Sequence, residues 1–145
     1  MFGGKQLFAF IGGGTAGAAE ALTSATTIHT WTVPFRCIPL RFGFTITTAT
    51  VSNVNISVTC TGAGGTTGNC GTLTIPTAVD AGKAYYEDTD VGATVWTTSL
   101  DEGEQIVVAV ATAAGGGGAA GAGVPWLLVE INPDRPANNS SMVAG

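Results

Sequence analysis

The chain has 145 residues, a formal net charge of −5 and only 10% charged residues, against about 25% in ordinary soluble domains. Its five cations, Lys5, Arg36, Arg41, Lys83 and Arg135, are scattered, so the basic stripe that a nucleic-acid reader needs for its phosphate contacts is missing. No stretch supplies the roughly 20 consecutive apolar residues of a membrane span, and neither nucleic acid nor membrane is expected as a partner. A single domain is expected at this length. With 22 glycines, abundant Thr and Val and few charges, the composition points to an all-β body.

The N-terminal stretch, residues 1–26, admits three readings. Lys5 followed by Leu7–Ile11 and small residues near Ala19 and Ala21 has the layout of a short signal peptide. Gly12-Gly13-Gly14-Thr15-Ala16-Gly17 matches G-x-G-x-x-G after the strand-like LFAFI. That fingerprint needs a βαβ unit and an acidic residue about 20 positions on; the corresponding TTIHTWTVPFRCIP has neither. The third reading is an extended arm that gains order on a partner through Phe2, Leu7, Phe8, Phe10 and Ile11. It is carried forward, because free termini fray unless tied down.

Strands are predicted from Thr27 on. Ile28–Val33 alternates, with His29, Trp31 and Val33 on one face, and Pro34 ends regular pairing. Leu40–Thr47 alternates most cleanly: Leu40, Phe42, Phe44 and Ile46 point one way, and Arg41, Thr45 and Thr47 the other. Val54–Cys60 repeats the pattern, and Ser52-Asn53 predicts a hairpin turn between the two. Thr61–Asn69 is a Gly/Thr loop, Thr72–Ile75 a short strand closed by Pro76, and Thr77–Gly92 a polar excursion. Thr94–Leu100 is a further strand anchored by Trp96. Two apolar arms follow, Gln105–Ala111 and Pro125–Ile131, entered through the polar turn Asp101-Glu102-Gly103-Glu104. The Gly/Ala run between the arms has no large side chain. It is expected either to move in solvent or to lie in a groove on another molecule. Residues 132–145, rich in Pro and small polar residues, read as a tail. Seven or eight short strands over residues 27–131 predict a two-sheet β-sandwich, jelly-roll-like or immunoglobulin-like.

Candidate chemistry is thin. His29 is the single histidine; Cys37 lies near it in sequence, but no nucleophile elbow or other local motif supports a Cys–His hydrolase. Cys60 and Cys70 bracket the Gly/Thr loop. They read either as a disulfide worth ~2–3 kcal/mol or as two small buried hydrophobes. The three cysteines lack metal-ligand spacing. Glu87-Asp88-Thr89-Asp90 and Asp101-Glu102-Gly103-Glu104 lack the EF-hand pattern and read as solvated turns. Trp31, Trp96, Trp126, Tyr85 and Tyr86 suit a sugar-stacking platform or, more often in a sandwich, core and interface anchors. No catalytic set, metal or cofactor is expected.

The succession Val33-Pro34-Phe35-Arg36-Cys37, then Leu73-Thr74-Ile75-Pro76, then Leu100 to Val108, then PWLLVEI resembles small structural proteins of tailed bacteriophage heads, the capsid decoration or cement proteins. The resemblance covers Thr27–Ile131 and rests on strands and turns. It implies a non-enzymatic virion protein on the capsid surface, clamping neighbouring subunits of the major capsid protein, often as a homo-oligomer, a trimer. A carbohydrate- or receptor-binding virion module, head-fibre or tail-associated, is the alternative.

Overall fold

A computed structural model describes residues 6–12, 19–63, 69–88, 90–91, 94–95, 100–116 and 119–131; of these, residues 63, 69–70, 87–88, 90–91 and 94–95 are described by backbone alone. These residues form strands and no helix: β1 (Leu7–Ile11), β2 (Glu20–Ala21), β3 (Thr27–Thr32), β4 (Cys37–Val51), β5 (Ile56–Ala63), β6 (Asn69–Ile75), β7 (Ala84–Asp88), β8 (Asp90–Val91), β9 (Thr94–Val95), β10 (Gln105–Thr112) and β11 (Ala120–Ile131). Among the described residues no helix is long and apolar enough to cross a membrane.

The strands build two antiparallel sheets, ordered β1-β11-β4-β7 and β3-β10-β5-β6; β2 adds to β11 beyond β1, and β8 pairs with β9 separately. In this order β1 lies beside β11, β3 beside β10, β4 beside β7 and β5 beside β6. The chain is thus one long hairpin whose tip is β5–β6, rolled up so that successive rungs fall in alternate sheets. That is the jelly roll, which decides between the two sandwich types expected from the sequence. Among the described residues no βαβ unit accompanies the glycine fingerprint at 12–17: Gly12 directly follows the antiparallel strand β1, and residues 13–17 lie outside the description.

The core lies between the sheets. Phe42, Phe44 and Ile46 from β4 and Leu127 and Val129 from β11 are buried, as are Ile56, Val58, Ile106 and Val108 from the facing sheet. Each such side chain contributes about 1.5–3 kcal/mol when fully buried. β4 changes phase once: Cys37 and Pro39 are buried, then Phe42, Phe44 and Ile46. The shift coincides with a register irregularity at Leu128/Val129 on the paired strand, so the bulge keeps both halves of β4 facing inward.

Two sequence expectations change. The turn at Ser52-Asn53 exists, with Ser52 Oγ donating to the Val54 carbonyl at 2.6 Å, but it does not close a hairpin. β4 and β5 lie in opposite sheets, because their apolar faces oppose one another across the core. The arms Gln105–Ala111 and Pro125–Ile131 likewise separate into opposite sheets, as β10 and β11. The Gly/Ala run neither hangs free nor needs a foreign groove in its described part. Its second half is strand β11, and the stretch before it lies on its own chain: Ala114 N–H donates to the Leu22 carbonyl at 2.9 Å, and Asn53 N–H to the Gly115 carbonyl at 3.1 Å.

The small residues of β11 have a steric reason. A Cβ on Gly123 would run into the Phe44 ring and the Thr45 carbonyl oxygen, and one on Gly43 into the Trp126 ring. Gly123→Ala should therefore lower stability by about 1–3 kcal/mol, read as a lower midpoint in thermal or urea unfolding. An unchanged midpoint would show that the Phe44 ring is not held against this backbone.

Candidate functional site

Among the described residues, β1 is the outermost strand on its side of the sheet, with no strand paired beyond it. Its register against β11 runs from Leu7 opposite Glu130 to Ile11 opposite Trp126. Just outside the strand, Ile131 N–H donates to the Gln6 carbonyl at 2.8 Å and Gly12 N–H to the Pro125 carbonyl at 2.7 Å. Antiparallel ladders alternate hydrogen-bonded and non-bonded pairs, so the even-numbered residues of β1 turn their main-chain groups to β11. Leu7, Ala9 and Ile11 turn theirs away from the sheet.

The side chains divide in the same way. Phe10 faces inward and is buried at 7% exposure, while Leu7 at 53% and Ile11 at 69% stand on the outer face. Phe8 is on the inner side but remains 41% exposed at the mouth of the sandwich. There the rings of Phe8 and Phe35 meet edge-on, centroids 5.2 Å apart, and Phe10 sits 5.9 Å from Trp31. This cluster ties β1 to the β3–β4 connection and to the opposite sheet. Of the five residues expected to make contacts in the N-terminal arm, Leu7, Phe8 and Ile11 are exposed, Phe10 belongs to the core, and Phe2 lies outside the described residues. The segment Leu7–Ile11, expected as part of an arm spanning residues 1–26, is a strand of the sandwich. The expected tail, 132–145, lies outside the description.

A second feature crosses the outer face of the same sheet. Ile11, Trp126, Gly43 and Tyr86 occupy one continuous cross-strand row. The Trp126 ring lies against Gly43, and its Nε1–H donates to Thr45 Oγ1 at 3.2 Å. Arg41 packs over the Tyr86 ring, its guanidinium carbon 4.4 Å from the centroid, and Tyr86 is 58% exposed. Of the five aromatics considered as a platform, only Trp126 and Tyr86 share this row, on either side of Gly43. Trp31 is in the core and Tyr85 packs against it; Trp96 lies outside the described residues.

The remaining candidates are dispersed. His29 Nδ1 stands 3.4 Å from Glu20 Oε2 and its ring packs edge-on to Trp31, 5.3 Å between centroids. Cys37 is buried at the start of β4, laddered with Leu100. The Asp101–Glu104 turn is held within itself and to the β3–β4 connection: Asp101 N–H donates to Glu104 Oε2 at 2.9 Å, Val33 N–H donates to the Glu104 carbonyl and Gly103 N–H to the Val33 carbonyl, each at 2.8 Å, Arg36 Nε lies 3.6 Å from Asp101 Oδ1, and Gly103 takes φ +91°. Among the described residues, no group of three His, Cys, Asp or Glu side chains is placed to hold a metal ion. Cys60 is buried and pairs with Gly71; a register shift follows, which sets Cys70 beside that rung, its side chain outside the description.

No protein-family model and no curated protein matches the sequence. Among solved structures, the chain is similar to one in the structure of infectious bursal disease virus, Gx strain, with a TM-score of 0.45 and 12% identity over 90% of this chain and 33% of that one. This chain therefore spans a third of the length of that neighbour.

Phe35→Ala should free the outer end of β1. The expected result is faster hydrogen exchange at the Phe8 and Phe10 amides and a stability loss of about 1–3 kcal/mol. Exchange at those two amides no faster than in the parent would mean that the aromatic cluster does not hold the strand.

Proposed function

We propose that this chain is a structural virion protein that docks on the outside of a phage capsid and stabilises contacts between neighbouring subunits of the major capsid protein. The observation that carries this reading is the apolar outer face at the β1 side of the sandwich. Leu7 and Ile11 stand exposed there, Ile11 and Ala9 opposite half-buried Trp126 and Leu128, and Glu130 opposite Leu7 borders this apolar stretch at one end. Contiguous apolar surface on a soluble body marks an interaction site. The body behind it is a jelly roll, an architecture that capsid and lectin domains both use. Repetition over a symmetric lattice lets modest contacts sum to firm attachment.

The row of Trp126 and Tyr86 favours a second reading, a carbohydrate- or receptor-binding virion module. A fixed indole beside an exposed phenol offers stacking surface to a sugar ring. Binding on a glycan array that disappears in Tyr86→Ala would support this alternative.

The capsid reading predicts that the protein co-purifies with intact particles at a fixed ratio to the major capsid protein, and that added protein rebinds heads lacking it. Ile11→Glu places a carboxylate on the exposed face without touching the core, so it should keep the fold and weaken head binding by about tenfold or more. Undiminished occupancy with this variant would count against the face as the contact.

A further inference from the structure

We propose that the edge of β1 to which no described strand pairs joins, antiparallel and across a two-fold axis, with β1 of a second copy, linking two sandwiches through one continuous sheet. The inference rests on reading the N-terminal segment as a contact surface and names the partner of its main chain, the outer face being left to the capsid.

The geometry of the strand points to this partner. The outward main-chain groups belong to Leu7, Ala9 and Ile11, every second residue. A two-fold axis through Ala9 brings Leu7 of one copy opposite Ile11 of the other, Ala9 opposite Ala9, and Ile11 opposite Leu7. All three pairs then consist of residues whose N–H and C=O already face outward, so each forms a hydrogen-bonded pair without any change in the ladder to β11. The side chains match as well. Leu7 meets Ile11 on the outer face, Phe8 meets Phe10 on the inner, and the small Ala9 falls on the axis, where two identical side chains must face each other. No charge lies in Leu7–Ile11, so the pairing sets no like charges together, and none of the charged residues or prolines that blunt natural sheet edges is present.

The other edges fit worse. β7, at the far side of the same sheet, borders β6 of the opposite sheet and carries Glu87 and Asp88 in its sequence. Pairing β1 with β7 of another copy would set those carboxylates against an apolar strand and generate an open chain of copies, whereas β1 with β1 closes. The edge strand β3 exposes Thr27, Thr30 and Thr32. Among the described residues, three of the six exposed large hydrophobics, Leu7, Phe8 and Ile11, lie on β1.

Sedimentation equilibrium on the full chain tests the pairing. The expected mass is twice the 14.4 kDa of one chain. Ala9→Pro removes an outward N–H at the axis, a position where an edge strand tolerates proline, and should give a monomer. Ala9→Cys tests the same contact without depending on the proline fold: Cα atoms about 5.5 Å apart across a bonded pair suit a disulfide. Mild oxidation should convert that variant to covalent dimers, and should leave Thr74→Cys, exposed on β6, uncrosslinked. A monomeric or trimeric parent chain, or an Ala9→Cys variant that fails to crosslink, overturns the pairing. Monomers that still bind heads would overturn it and leave the capsid reading standing; dimers indifferent to heads would do the reverse.

Discussion

The structure depends on how closely β11 can lie along β4. These two strands form the middle of their sheet and share the longest ladder among the described residues, from Ala120 opposite Val51 to Ile131 opposite Cys37. Large rings cross that seam from both sides. Phe44 passes over Gly123 toward the core, and Trp126 passes over Gly43 on the outer face. Glycine at both crossings lets aromatic bulk be buried where a Cβ would collide with it. Gly121, at φ +143°, sits against Thr50 in the same way. Thr50 is itself buried, and its Oγ1 accepts a hydrogen bond from the Val79 N–H at 2.7 Å.

The same glycines explain what the sequence showed and what it concealed. Alternation in Leu40–Thr47 and the β-branched runs around Val58 and Val108 made the strands and the all-β class legible, because a half-buried strand must alternate. Gly and Ala carry no such signal. In Ala120–Val124 they read as a linker, since strand propensity is low for both, yet they form a strand because a neighbouring ring supplies the bulk they lack. Pairing partners were less legible than the strands themselves. Ser52-Asn53 has the residues of a turn, but whether a turn joins neighbours in one sheet or carries the chain across to the other depends on the far ends of both strands. In a rolled hairpin those ends belong to partners distant in sequence, such as β11 for β4.

The candidate surface was readable in part for a related reason. Apolar side chains at Leu7, Phe8 and Ile11 in a glycine-rich setting suggested contact, and they are exposed. Phe10 looked the same in sequence but faces the core beside Trp31 and Phe35: strand alternation sends it to the face opposite Leu7 and Ile11, and its depth between the sheets sets it apart from Phe8, which shares that face at the mouth. The row of Trp126, Gly43 and Tyr86 gathers residues separated by dozens of positions. Only the registers of β11 and β7 against β4 bring them together.

The hydrogen bond from Ile131 N–H to the Gln6 carbonyl fixes one more property. It closes the first rung of the ladder between the opening and closing strands, so polypeptide entering at Gln6 and polypeptide departing after Ile131 share a single corner. A short linker across that corner would convert the fold into a circular permutant with its ladders intact. A fluorophore or affinity tag fused before Gln6 or after Ile131 would project from the same point on the surface.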